Sequence, residues 1–269
     1  MVKFLYKTIL GRAILKILTR PTLSRVAGCF MDSRLSAVYI NRFIKKNNIS
    51  LDDFEIESWK SFNHFFTRKV KPDARSFSSA DTDFVSPCDG LLTVYPITDD
   101  LVFTVKNSEY SIASLLENKM PADKYKNGTC LVFRLTPTHY HRYHYFDSGY
   151  KTTNTKISGI LHTVQPIAVE NLPVYSRNSR EYTTLHTDNF GDVIFMEVGA
   201  LLVGRIVNYH NSCSFSKGEE KGKFEFGGST IILLFENNKV NIDSTVLENN
   251  AKGIEFPVKA GQKLGTSIM

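Results

Sequence analysis

Hydrophobic positions change their rhythm near residue 75. Before it they recur three and four apart, the spacing of a helix face. Over residues 9–20, Ile9, Leu10, Ala13, Ile14, Ile17 and Leu18 share one broad apolar face, and Pro21 limits the helix. Leu35, Val38, Phe43 and Ile44 predict a second helix that runs out in the polar stretch 45–48. Trp59, Phe62, Phe65 and Phe66 line one side of a third, over residues 56–67, and their simplest reading is core or interdomain packing. Lys71-Pro72 and the serine-rich stretch 76–80 mark a boundary.

From residue 84 onward the texture is that of strands. Residues 91–97, 101–105, 130–135, 192–198 and 231–235 are rich in β-branched, aromatic and other apolar side chains. Turn signals separate them: Asp89-Gly90, Asp99-Asp100, Asn127-Gly128 and the polar run 236–238. One helix is expected in the middle, over residues 110–117, and two short strands around Ala260-Gly261 close the chain. No sustained strand–helix alternation occurs, which excludes a doubly wound parallel sheet. The expected class is α+β. A helical region, residues 1–75, precedes a β-rich domain, residues 76–269, of short and mostly antiparallel strands.

Charge adds to this picture because it is placed unevenly. The chain carries +6 overall, yet residues 1–31 hold no Asp or Glu beside Lys3, Lys7, Arg12, Lys16, Arg20 and Arg25. Arg12, Lys16 and Arg20 recur every four residues along the edge of the apolar face. Such a helix can lie in a membrane interface, where each cation near anionic headgroups is worth roughly 1 kcal/mol. A helix packed on its own domain with a solvated basic face fits equally, and a basic targeting segment is a third reading. No run of 18 apolar residues is present, so no membrane-crossing helix is expected. Cys29, Cys88, Cys130 and Cys213 form no close pair and no metal-ligand spacing, which reads as reduced thiols.

The candidate chemistry begins with Gly227, Gly228, Ser229 and Thr230, which feed directly into the apolar run 231–235. By themselves these residues read as a turn. A glycine pair also lets a serine hydroxyl be aimed back at the preceding carbonyl, the geometry of self-cleavage. Further segments accompany it: 61–68 (Ser-Phe-Asn-His-Phe-Phe-Thr-Arg), 86–90 (Ser-Pro-Cys-Asp-Gly), 134–144 (Arg-Leu-Thr-Pro-Thr-His-Tyr-His-Arg-Tyr-His), 157–164 and 198–204. Together and in this order they resemble the pyruvoyl-dependent phosphatidylserine decarboxylases of the bacterial type, over nearly the whole chain.

Making a pyruvoyl group takes an attack of the serine hydroxyl on the preceding carbonyl, elimination of the upstream chain and loss of ammonia. A serine needs an adjacent base for this, a histidine suits the task, and a carboxylate steadies its charge. Three histidines, His139, His141 and His144, stand within six residues; Asp89 otherwise reads as a turn residue. The resemblance implies that Asp89, His144 and Ser229 form the processing triad and that His141 serves the decarboxylation. His139 departs from the family pattern, where an Asp is frequent. Asn178 to Tyr182 resemble a further family motif; Arg180 there suits either a substrate phosphate or carboxylate, or an internal acid.

The implied activity converts phosphatidylserine to phosphatidylethanolamine and CO₂ through a Schiff base on a pyruvoyl group made from Ser229, in phospholipid biosynthesis. The implied zymogen cuts itself between Gly228 and Ser229 into residues 1–228 and 229–269, which stay associated. No PLP, metal or nucleic acid is expected, and association of several copies is left open. The implied place is peripheral, at the cytoplasmic face of the cell membrane, with anionic lipid as partner. A lipid-binding protein without catalysis and a serine hydrolase are the alternatives.

Overall fold

The structure, a computed structural model, describes residues 2–56, 58–106, 108–201, 205–227 and 229–268. Gly204 and Gly228 lie outside the described residues. Five helices come first: α1 (Val2–Lys7), α2 (Ile9–Leu18), α3 (Pro21–Asp32), α4 (Ile40–Asn47) and α5 (Phe62–Phe66). The Thr8 hydroxyl caps α2 by accepting the Gly11 N–H at 3.0 Å, and Pro21 opens α3, where its missing N–H has no cost. The second predicted helix divides into a 3-10 turn (Arg34–Tyr39) and α4, which ends at Asn48 in a left-handed cap. The third shrinks to α5 because Ser61 is its cap, accepting the His64 N–H at 3.2 Å.

The central sheet runs, from edge to edge, through Cys213–Phe215, Gly149–Lys151, Arg180–Thr187, Gly191–Val198, Ser229–Phe235, Thr129–Leu135, Gly90–Pro96 and Phe256–Val258. Thr155–Ile157 joins it beside Arg180–Thr187, and every pairing is antiparallel. Each strand predicted from the sequence lies within one or two residues of an observed one. The helix expected over residues 110–117 is a single turn, Ile112–Leu116, capped by Ser111.

Side chains alternate across this sheet and build a core on each face. Ile232 and Leu234 pack on one side with Val132, Ile194 and Met196. Ile231, Leu233 and Phe235 pack on the other with Phe133, Leu135 and Phe195. By the same alternation Ser229 faces the second side. Above it lies a small sheet of Ile206–Asn208, Glu220–Phe224 and Arg142–His144.

The N-terminal helices are not held by the face their pattern marks. Leu5, Tyr6 and Leu15 enter the same core as Ile232. Gly11 lets α1 and α2 touch, since a Cβ there would stand 2.1 Å from the Phe4 carbonyl oxygen. Most of the predicted apolar face instead looks outward: Ile9 is 83% exposed and Ile17 62%, with Leu10 and Ile14 beside them, while Leu18 packs against the core. Val26, Phe30, Leu35 and Val38 continue the exposed apolar surface on α3 and the following turn.

Tyr6 meets the buried His162 at 3.1 Å, hydroxyl to Nδ1. Burial pulls the His162 pKa from 6.5 to about 4, with Arg177 adding to the effect. The unfolded chain therefore binds the proton that the folded chain refuses. This contribution is complete above pH 6.5 and is lost as the pH falls toward 4. Urea unfolding of wild type and His162→Gln between pH 7 and 4 checks it. The wild type should lose more stability on acidification, and two parallel curves would show that His162 carries no such linkage.

Candidate active site

Ser229 opens the strand at the centre of the main sheet, opposite Leu135, and is fully buried. A buried hydroxyl needs a partner. It finds His141, whose Nδ1 lies 3.3 Å from the Ser229 Oγ. The other ring nitrogen, Nε2, lies 3.0 Å from the Thr136 carbonyl oxygen. A carbonyl only accepts, so the proton sits on Nε2, and Nδ1 is left to accept the serine O–H. Phe66 stacks on the imidazole at 4.0 Å. Burial holds the His141 pKa well below 6.5, and the Arg68 cation lowers it further.

The chain just upstream of Ser229 is anchored on α5. The Phe226 N–H donates to Asn63 Oδ1 at 2.8 Å, and the Phe226 ring meets Phe62 and Phe66 edge-on. Gly227 has φ +130°, a conformation that side chains rarely adopt. One strand earlier, Lys221 is buried against Glu197, their N and O 2.5 Å apart, and Glu197 stands opposite Ile231. This pair ties the approach strand down onto the sheet.

Asp89 and His144 lie in one neighbourhood without a hydrogen bond between them. The Asp89 carboxylate takes both arms of Arg75, at 2.8 and 2.6 Å, and the Ala260 N–H at 2.9 Å. The His144 N–H donates to the Pro87 carbonyl, which places its ring near the Asp89 turn. That ring packs beside Phe77 and Tyr140, and its buried Nδ1 has no partner. Burial lowers the His144 pKa, while Glu220 and Asp89 pull the other way. The residue in contact with Ser229 is therefore His141. His139 shapes the turn that orients it, accepting the Thr136 N–H on Nδ1 at 3.0 Å.

Arg180 is buried at the head of its strand. Its guanidinium donates to the carbonyls of Leu115, Ser176, Asn178 and Ser114. These bonds tie the short helix Ile112–Leu116 to the short helix Val174–Arg177. Among the described residues no three His, Cys, Asp or Glu side chains converge as metal ligands. Arg75, Asn63 and Thr136 carry the site but were not singled out from the sequence. Asn63 and Phe66 sit in the 61–68 motif, where the aromatic pattern concealed a functional contact.

The site thus presents a buried serine leaning on an imidazole at the head of a central strand, directly after a glycine pair. The phosphatidylserine decarboxylase family pattern matches residues 62–266. A Clostridium acetobutylicum protein, phosphatidylserine decarboxylase proenzyme 2, is 47% identical over 264 residues, covering 98% of this chain and 90% of its own. Phosphatidylserine decarboxylase proenzymes of Ruminiclostridium cellulolyticum and Clostridium tetani are 43% and 42% identical. They cover 98% and 90% of this chain, and 90% and 83% of their own. The chain belongs to the phosphatidylserine decarboxylase family and is a carboxy-lyase.

The side chains of Arg75 and Asp89 are 5% and 8% exposed, so removing one partner strands a buried charge. Arg75→Met should cost ~3 kcal/mol or more in urea unfolding at pH 7. Adding Asp89→Asn should return most of that loss, because the stranded charge is gone. A single variant within experimental error of wild type would mean that water reaches Asp89.

Proposed function

We propose that the chain decarboxylates phosphatidylserine to phosphatidylethanolamine, using a pyruvoyl group that it makes from Ser229 by cutting its own Gly228–Ser229 bond. The observation that carries this reading is the buried Ser229 hydroxyl on His141 Nδ1, in a chain whose relatives are named proenzymes. Ser229 Oγ attacks the Gly228 carbonyl and the peptide nitrogen leaves, giving an ester. Loss of the residue 229 α-proton expels Gly228 as a carboxylate. Water then replaces the nitrogen of residue 229, which departs as ammonia.

The base in these steps must become an imidazolium, which is stabilised by nearby carboxylates. His144 has Asp89 and Glu220 around it, whereas His141 faces the Arg68 cation. We assign the proton transfers of cleavage to His144, with Asp89 behind it. The buried Nδ1 of His144 has no hydrogen-bond partner, which leaves its lone pair open to a proton. His141, which touches residue 229, holds the proton destined for the product α-carbon; the anionic headgroup beside it raises its pKa for that role.

The residues at position 229 suit the pyruvoyl group. The strand is dry throughout, and the neighbouring Thr230 hydroxyl is buried without a partner. The group supplies a carbonyl for the substrate amine and an electron sink for the departing CO₂. The 229–269 fragment stays in place after cleavage because its first strand is bonded along both edges in the middle of the sheet. The outward apolar residues of α2 and α3, with Arg12, Lys16, Arg20 and Arg25 among them, rest on an anionic membrane. Among the described residues no helix is long and apolar enough to cross a bilayer. The enzyme then works as a peripheral protein at the cytoplasmic face, within phospholipid synthesis.

Denaturing mass spectrometry of purified protein should give two chains divided at Gly228, the shorter one lighter than a serine-headed peptide by one ammonia. A single intact chain that binds phosphatidylserine would instead indicate a lipid-binding protein. His144→Ala should remain largely whole, while His141→Ala should be cut yet decarboxylate at least ~100-fold more slowly. The reverse pattern would transfer the base role to His141. Ile9→Glu with Ile17→Glu should weaken binding to anionic vesicles roughly tenfold or more, since two apolar side chains no longer enter the interface. Unchanged binding would remove α2 from the membrane contact.

A further inference from the structure

Asn63 is 95% buried on α5, and both ends of its amide are committed. Its Oδ1 accepts the Phe226 N–H at 2.8 Å, and its Nδ2 donates to Asp32 Oδ1 at 2.8 Å. The orientation of the amide is unambiguous, because a backbone N–H can only donate and a carboxylate can only accept. The other Asp32 oxygen holds Arg205, and Arg205 closes on Glu225. The Glu225 N–H donates in turn to the Arg205 carbonyl at 3.1 Å. Residues 225 and 226 are thus gripped from several sides just ahead of Gly228.

The same short helix also sets the far side of the reaction. Phe66 stacks on His141, and the Thr67 carbonyl accepts Arg142 Nε at 2.8 Å, next to that histidine. One rigid turn therefore references both the strand end that bears the electrophile and the imidazole that holds the Ser229 hydroxyl. Two glycines in succession would otherwise leave the scissile segment many conformations. An attack of a serine on its own preceding carbonyl proceeds only from a narrow range of geometries.

We infer that Asn63 is a positioning residue for self-cleavage, clamping the Phe226 backbone so that the Gly228 carbonyl is presented to Ser229 Oγ. This rests on the self-cleavage reading given above. Asn63 touches no reacting atom; it acts through the backbone that it holds.

The test follows the full chain after a synthesis pulse and reads the half-life of the uncut form by gel and mass, alongside the thermal midpoint. Asn63→Ala should lengthen that half-life roughly a hundredfold. Asn63→Asp keeps the acceptor but sets a carboxylate against Asp32, and it should also be slow. Combining Asn63→Asp with Asp32→Asn restores a donor–acceptor pair of the same shape. The combination should return cleavage to within about threefold of wild type, a recovery that a merely structural defect would not show. If Asn63→Ala is cut at the wild-type rate, or if the combination stays as slow as Asn63→Asp alone, the clamp is overturned. A wild-type chain that remains whole overturns self-cleavage and the clamp with it.

Discussion

A hydroxyl that is buried at the start of a central strand has to find its partner inside the protein, and the site is organised around meeting that need for Ser229. The partner must offer a bare lone pair. His141 does so because the Thr136 carbonyl takes the proton on its other nitrogen. His139 stiffens the Thr136 turn and Phe66 covers the ring. Three separate segments therefore converge on a single hydrogen bond, and each was shaped by a requirement of local geometry.

The charges around this contact divide the histidines. Arg68 lies on the side of His141 and disfavours a second proton there. Its guanidinium rests on Phe54 and Phe65 and donates to the Thr138 carbonyl. Asp89 and Glu220 lie on the side of His144 and favour one. The Asp89 carboxylate is shared with Arg75 and the Ala260 N–H, so its place is set by the far end of the chain as well as by its own turn. Two imidazoles three residues apart thus stand in opposite fields, a suitable basis for different roles.

Packing explains how an exposed apolar surface coexists with a stable attachment. The α1–α2 pair is fastened through Tyr6, Leu15 and the contact at Gly11, which use the narrow side of the helices. The broad apolar side remains free. Helical periodicity marks which residues share a face but not which of two apolar surfaces meets the protein. Here the smaller one does, because only a glycine allows the helices to cross so closely.

The sequence by itself determined the order of helices then strands, the approximate bounds of each central strand, and the family to which the Ser229 neighbourhood belongs. These are legible because they depend on local spacing, turn residues and contiguous motifs. Tertiary structure decided which histidine meets Ser229, and that Arg75 occupies Asp89. It also decided that Arg180 is spent on backbone carbonyls. It joined Asn63 to Phe226, 163 positions away along the chain. A side chain's partner across such distances depends on how sheets and loops stack, and on which buried donors remain to be satisfied once they have done so.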